Sequence, residues 1–243
     1  MAPAALALGA RGTLPLVQVT PRGVWGRSAP TTWTTTRAWF GRERADGAPD
    51  LGDPDVRAAE TERLVLRYLA AFGPASVADV QVWSGLPGLG AVVDRLRDRL
   101  LTFRAEPGPG SATGRELLDL PDAPRPGPDV PAPVRFLADF DNVTLAHADR
   151  TRIVSEEHRR ALATKNGVAP GTVLVDGRVG GTWLVQRERL DPGGMRSRRE
   201  LATLTVTPLG ALDRATRAGI LTEGEAFVRF LAGDAAEHRV VVA

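Results

Sequence analysis

No cysteine occurs in the 243 residues. Disulfide cross-links, zinc–thiolate sites and a cysteine nucleophile are therefore excluded. Lysine is almost as scarce: Lys165 stands alone, and the other basic residues are arginine. That bias points to a GC-rich genome, although arginine also suits bidentate contacts to phosphate and guanine. The three histidines, His147, His158 and His238, are scattered, and Glu156-Glu157-His158 lacks the second histidine of an H-E-x-x-H zinc helix. No metal and no cofactor is expected. There is no P-loop, and Gly177, Gly180 and Gly181 belong to a hairpin rather than to a strand-to-helix phosphate turn. No serine sits in a G-x-S-x-G elbow. No apolar run approaches the roughly 20 residues of a membrane span. The opening MAPAALALGA has no basic residue before Arg11 and makes a poor signal peptide. A cytoplasmic monomer without a membrane anchor is expected.

What remains is a chain that is 43% hydrophobic, with 26 glycines and 19 prolines, and is long enough for one to three domains. Net charge is only +2, so its distribution matters more than its sum. The densest basic run lies between Arg178 and Arg199, where Arg178, Arg187, Arg189, Arg196, Arg198 and Arg199 face only Glu188 and Asp191. If a polyanion binds, that segment is the leading candidate.

Residues 12–28 read as a strand, a turn at Pro21-Arg22-Gly23 and a second strand through Trp25, followed by a short helix over Thr31 to Phe40. A hairpin alone has no core, so residues 1–50 read as the remnant of a preceding domain. Asp53-Pro54 opens a helix that Gly73-Pro74 stops. Ser76 and Asp79 form a capping-box pattern before a helix from Val77 to Trp83. Leu89, Val92, Val93, Leu96 and Leu100 space as a third helix, and Leu101–Arg104 and Glu116–Leu120 as strands around a Gly/Pro/Ser-rich loop. That order predicts a winged helix over residues 51–125. Its third helix sets Arg95, Arg97 and Arg99 against Asp94 and Asp98, and with a net charge of −3 over residues 51–130 this part can bind DNA or serve as a packing unit.

A proline-rich linker, 121–133, leads into a third part, 126–243. Ser155 to Ala163 reads as a helix, and Asp176-Gly177 as a hairpin turn between Thr172–Val175 and Arg178–Val185. A strand over Arg199–Thr207, helices over Leu209–Ala218 and Glu223–Leu231, and a strand over Arg239–Val242 complete the pattern. The expected fold class is α+β: winged helix-turn-helix followed by an α+β domain with β-hairpins.

The richest stretch is Val134 to His158, where Asp139, Asp141, Asn142, His147, Asp149 and Arg150 crowd together. They can be helix caps and loop anchors. They can equally face nucleic acid, with His147 and Arg150 as contacts. Trp183, beside Arg187 and Arg189, can stack on bases or pack into a local core.

Four segments in order, LVQVTPRGVWGRS (16–28), ASVADVQVWSGL (75–86), ADFDNVTLAHADRTRI (138–153) and VLVDGRVGGTW (173–183), resemble the AlkZ/YcaQ-like winged-helix DNA-binding family. The resemblance implies tandem winged helices around a concave DNA-binding surface. It also implies hydrolysis of the N-glycosidic bond of alkylated or crosslinked purines, without metal or cofactor. The family's catalytic Gln-x-Gln or Gln-x-Asp lies in an N-terminal winged helix. Here the likeness begins near the end of a second one, so the first is expected to be absent. Gln18, Gln81 and Gln186 are the only glutamines, and none stands in such a pair. The catalytic residues are therefore unknown from sequence. A DNA-binding relative, with double-stranded DNA, damaged or not, as partner, is the leading expectation. The alternatives are an active glycosylase using Asp139, Asp141 or Asp149, and a protein-interaction module.

Overall fold

The computed structural model describes residues 3–25, 30–41, 47–106, 114–162, 169–190 and 199–243. The chain forms two compact units, Met1–Glu60 and Thr61–Ala243. Helices and sheets are mixed along it. Among the described residues, no helix is long and apolar enough to cross a membrane.

In the first unit, helix α1 (Pro3–Thr13) precedes strand β1 (Leu16–Val19), which pairs antiparallel with β2 (Thr32–Thr35). The partner strand is thus the threonine run, not the expected segment through Trp25. Threonine and tryptophan favour extended backbone, so Thr32-Trp33-Thr34-Thr35 joins the sheet instead of opening a helix at Thr31. Helix α2 (Thr36–Phe40) starts one residue later, with Thr35 Oγ1 accepting from Ala38 N.

Helix α3 (Pro54–Phe72) begins where expected, with Asp53 accepting from the amides of Asp55 and Val56. Helix α4 (Val77–Ser84) carries a complete capping box from Ser76 and Asp79 and ends on Gly85 in the left-handed conformation. Helix α5 (Leu89–Leu96) is shorter than its sequence pattern and passes into a 3₁₀ turn, Arg97–Arg99. Gly88 gives α5 no side-chain cap, and Gln81 Oε1 on α4 accepts from Leu89 N instead. Strands β3 (Leu101–Arg104) and β4 (Glu116–Asp119) pair antiparallel, and Ala75 bridges Leu118 as a one-residue third member. Val65, Tyr68, Leu69, Val80, Leu89, Val93, Leu96 and Leu118 form the core of this part. Each large apolar side chain buried there contributes about 1.5–3 kcal/mol before entropy is counted.

Strand β5 (Arg135–Leu137), helix α6 (Asn142–Leu145) and helix α7 (Glu156–Leu162) precede a five-stranded sheet's remaining members. These are β6 (Thr172–Val175), β7 (Arg178–Arg189), β8 (Glu200–Pro208) and β9 (Glu237–Val242), in the order β5-β6-β7-β8-β9. Asp176 and Gly177, both at positive φ, make the predicted turn between β6 and β7. A register shift at Val173/Leu174 adds a bulge. Helix α8 (Arg214–Leu231) crosses over to make β9 parallel to β8.

Sequence reading divides α8 into two helices around Gly219; the structure shows one. Its glycines serve contact rather than breakage. A Cβ on Gly224 would stand 3.0 Å from Val240 Cγ1 and 3.2 Å from Leu204 Cδ2, so the helix backbone lies directly on the sheet. Leu204, Val206, Val173, Ile220 and Val228 form the second core around that contact. Replacing Gly224 by Leu should therefore destabilise the protein by about 1–3 kcal/mol through overpacking. A urea titration checks this, and an unchanged midpoint would show that α8 has room to spare.

Candidate functional site

Residues 146–154 have little regular structure, yet they are bonded closely to the helices before them. Tyr68 Oη donates to the Ala146 carbonyl at 2.7 Å. Burial pushes the Tyr68 phenol up, so it stays neutral and remains a donor. His147 Nε2 lies 3.0 Å from the Phe72 carbonyl at the end of α3, so that nitrogen carries the proton. The His147 ring stands edge-on to Phe72.

Asp79 joins both sides. It is only 1% exposed. Its Oδ2 accepts from Ser76 N at 2.8 Å and Ser76 Oγ at 2.7 Å, completing the cap of α4. Its Oδ1 accepts from Ala148 N at 2.9 Å and Asp149 N at 3.3 Å. Burial alone would raise its pKa, but these donors outweigh burial and hold the carboxyl below the usual range. The capping pattern is legible in sequence; its second partner, almost seventy residues on, is not.

Asp149 is held in turn. Its Oδ1 accepts from Thr151 N and Thr151 Oγ1, and its Oδ2 from Arg115 Nη2 at 2.8 Å. The Thr151 hydroxyl and amide, opposed by partial burial and helped by Arg115, bring its pKa down to about 2. Arg150, half-buried, reaches only the His147 carbonyl, at 3.4 Å, and has no carboxylate partner among the described residues.

Ala148, Asp149, Arg150 and Thr151 line a cavity of about 730 Å³, within the range of small-molecule sites. Leu145, Val154, Leu162 and Pro170 supply apolar wall, and Asp149, Arg150, Thr151, Glu156 and Arg159 supply charge and polarity. Arg159 is paired with Glu156 one turn away on α7. Thr172, 3% exposed, also lines the cavity, and among the described residues its Oγ1 is the buried side-chain atom without a hydrogen-bond partner. An unmet buried hydroxyl costs about 1–3 kcal/mol. Thr172, Arg115 and Arg159 escape sequence reading because only the fold brings them to residues 145–151. Among the described residues, no cluster of His, Asp and Glu could hold a metal ion.

The other expected site residues are placed elsewhere. Asp139 is exposed, and Asp141 caps α6 by accepting from Val143 N at 2.8 Å. Trp183 is turned inward: its Nε1 donates to the Leu137 carbonyl, and Phe227 stands edge-on to its ring at 4.8 Å. A Cβ on Gly171 would meet that ring at 2.4 Å. The packed-core reading of Trp183 therefore describes it better than base stacking. Arg187 makes a two-pronged ion pair with Asp234, at 2.7 and 2.9 Å, and also reaches Glu200. Arg199 pairs with Glu237, and Arg178 donates to the Thr151 carbonyl. Arg189 faces Glu200 across the β7–β8 ladder. Arg196 and Arg198 lie outside the described residues. On α5, Arg95 pairs with Glu62, while Arg97 in the 3₁₀ turn that follows pairs with Glu116 and Asp94.

The fold and the cavity define a protein of mixed helices and sheets with a ligand-sized cleft beside a bonded, irregular segment. The chain belongs to the AlkZ-like family: the profile described as DNA glycosylase AlkZ-like matches residues 2–230. The structure is similar to that of Streptomyces sahachiroi DNA glycosylase AlkZ, with a TM-score of 0.61 and 20% sequence identity. The likeness covers 94% of this chain and 54% of that one, so the chain spans about half the length of that protein. No curated protein matches the sequence.

The two carboxylates make the site acid-sensitive. A carboxylate whose pKa is depressed by folding stabilises the fold above its unfolded pKa and loses that contribution as pH falls toward the folded value. For Asp149 the loss falls between about pH 4 and about pH 2. Asp149→Asn should therefore show a shallower fall in stability across that window than the wild type. Chemical denaturation at pH 7, 4 and 3 measures it, and parallel curves for the two proteins would contradict the assignment.

Proposed function

We propose that the protein binds double-stranded DNA, damaged or undamaged, through the segment at 146–160 and the cavity beside it. The observation that carries this reading is Arg150: a half-buried arginine with no carboxylate partner among the described residues, at a ligand-sized cavity, in a chain of a DNA glycosylase family. Arg160 on α7 adds a cation close to the same place. The β7 arginines, expected from sequence to lead, are supported less well, because Arg187 is already engaged by Asp234 and Glu200.

The order of three helices and a β-hairpin over residues 54–120, with Ala75 paired to Leu118, supports reading that part as a winged helix. Its Arg95 and Arg97 are paired with carboxylates, so it offers few free cations to phosphate. In this reading the winged helix serves more to hold the neighbouring segment than to grip DNA.

On its own, this chain should excise bases weakly or not at all. Gln81 is committed to the Leu89 amide, and no glutamine pair of the family type stands in the sequence. Positioned acid–base groups contribute about 10²–10⁴-fold to such steps. Duplex carrying N7-alkylated guanine, scored for alkali-labile sites above spontaneous depurination, tests this. Robust excision would refute the expectation, and its loss in an Asp149→Asn protein shown to remain folded would point to that carboxylate.

For DNA binding itself, about three phosphate contacts predict that log affinity falls with log salt at a slope of roughly −3. Arg150→Glu combined with Arg160→Glu should weaken binding more than Arg187→Glu does. Absence of binding at 50 mM salt would favour a protein-interaction role, and the reverse mutant order would return the DNA to β7.

A further inference from the structure

The arginines that meet residues 147–152 differ from the others in what holds them. Arg95, Arg97, Arg187 and Arg199 each end on a carboxylate, which offsets their charge at close range. Around the segment the acceptors are neutral. Arg178 Nη2, from the first residue of β7, donates to the Thr151 carbonyl at 2.7 Å. Arg152 Nη2 donates to the Pro74 carbonyl at 3.0 Å, and Arg150 Nε to the His147 carbonyl at 3.4 Å. Among the described residues none of the three meets a carboxylate, Asp176 in the turn before Arg178 included. A carbonyl fixes a guanidinium without neutralising it and leaves its other N–H groups available. Arg152 and Arg178 are exposed. A fourth arginine, Arg115 beside β4, is spent on Asp149 at 2.8 Å. Asp149 does not need it for its own position, since Thr151 bonds its Oδ1 and Asp79 holds its amide.

We propose that Arg150, Arg152 and Arg178 are the phosphate contacts of a duplex backbone lying across residues 150–152 and the β6–β7 turn, and that Asp149 limits the grip by keeping Arg115 out of it. Arg178 is then the exception among the β7 arginines: its neighbour is a carbonyl where Arg187 has carboxylates. Arg152, which no local run of charge singles out, becomes a contact because the Pro74 carbonyl anchors it. Contacts of this kind position a duplex and carry no sequence information directly. Three of them correspond to a slope of roughly −3 in log affinity against log salt. Removing the Asp149 charge releases Arg115 as a fourth. This assignment rests on the DNA-binding reading above and names the groups that perform it.

The test is titration of the full chain with an undamaged duplex over a series of salt concentrations. Arg152→Gln and Arg178→Gln remove charge, whereas Arg152→Lys and Arg178→Lys keep it while disturbing the carbonyl bond as much. Each Gln variant should lose about fivefold in affinity and show a slope shallower by about 0.9, and each Lys variant should keep the wild-type slope. Arg229→Gln, an equal charge change at an exposed position of α8, should alter neither. Asp149→Asn should bind more tightly than the wild type and with a steeper slope, a gain that partial unfolding cannot imitate. Unchanged slopes in the Gln variants, equal losses in the Gln and Lys variants, or weaker binding by a folded Asp149→Asn protein would overturn the proposal while wild-type binding left the DNA reading standing. No duplex binding by the wild type would overturn that reading and the proposal with it.

Discussion

The carboxylate of Asp79 is the point on which the site depends. It sits in the interior of the helical part and receives two donors from Ser76 and two from the amides of Ala148 and Asp149. A buried charge is tolerated only when it is met on every side. Here the two sides belong to parts of the chain almost seventy residues apart. The cap that starts α4 is thereby also the clamp that holds the irregular segment at 146–151. Tyr68 and His147 reinforce it, each through a carbonyl, so the segment is fixed by backbone bonds as well as by the burial of Ala146 in the first core. Loops that carry function are commonly held this way, on a rigid scaffold that leaves their side chains available.

Neutralisation decides where the available charge lies. The six arginines between 178 and 199 draw attention as a linear run. In three dimensions Arg187 and Arg199 find Asp234 and Glu237, residues near and within the last strand, which no local count includes. Arg150 has the opposite history: it sits beside Asp149 in sequence, but Asp149 is taken by Arg115 and Thr151. Charge density along a chain is thus a poor guide where β-pairing brings distant carboxylates alongside.

Much of the architecture was legible in advance, for local reasons. Asp176-Gly177, Ser76 with Asp79, Asp53-Pro54 and the strands 101–104 and 116–119 each carry turn or cap chemistry that needs no partner. The misreadings share a cause. Gly219 and Gly224 look like helix breakers, yet they let α8 lie against Val134, Val240 and Leu204. Thr31 to Phe40 has a helix-like aromatic spacing, yet its threonines pair with β1. The candidate site was legible only in part: the stretch 134–158 stands out by composition, whereas Thr172, Arg115 and the reach of Asp79 arise from tertiary packing.

The most direct measurement is amide hydrogen exchange of the wild type and Asp79→Asn, followed residue by residue. If Asp79 is the clamp, the amides of Ala148 and Asp149 are protected in the wild type and exchange much faster in the variant, while the amides of β7, β8 and β9 keep their protection. Unprotected Ala148 and Asp149 amides in the wild type, or protection that survives the substitution, would contradict it.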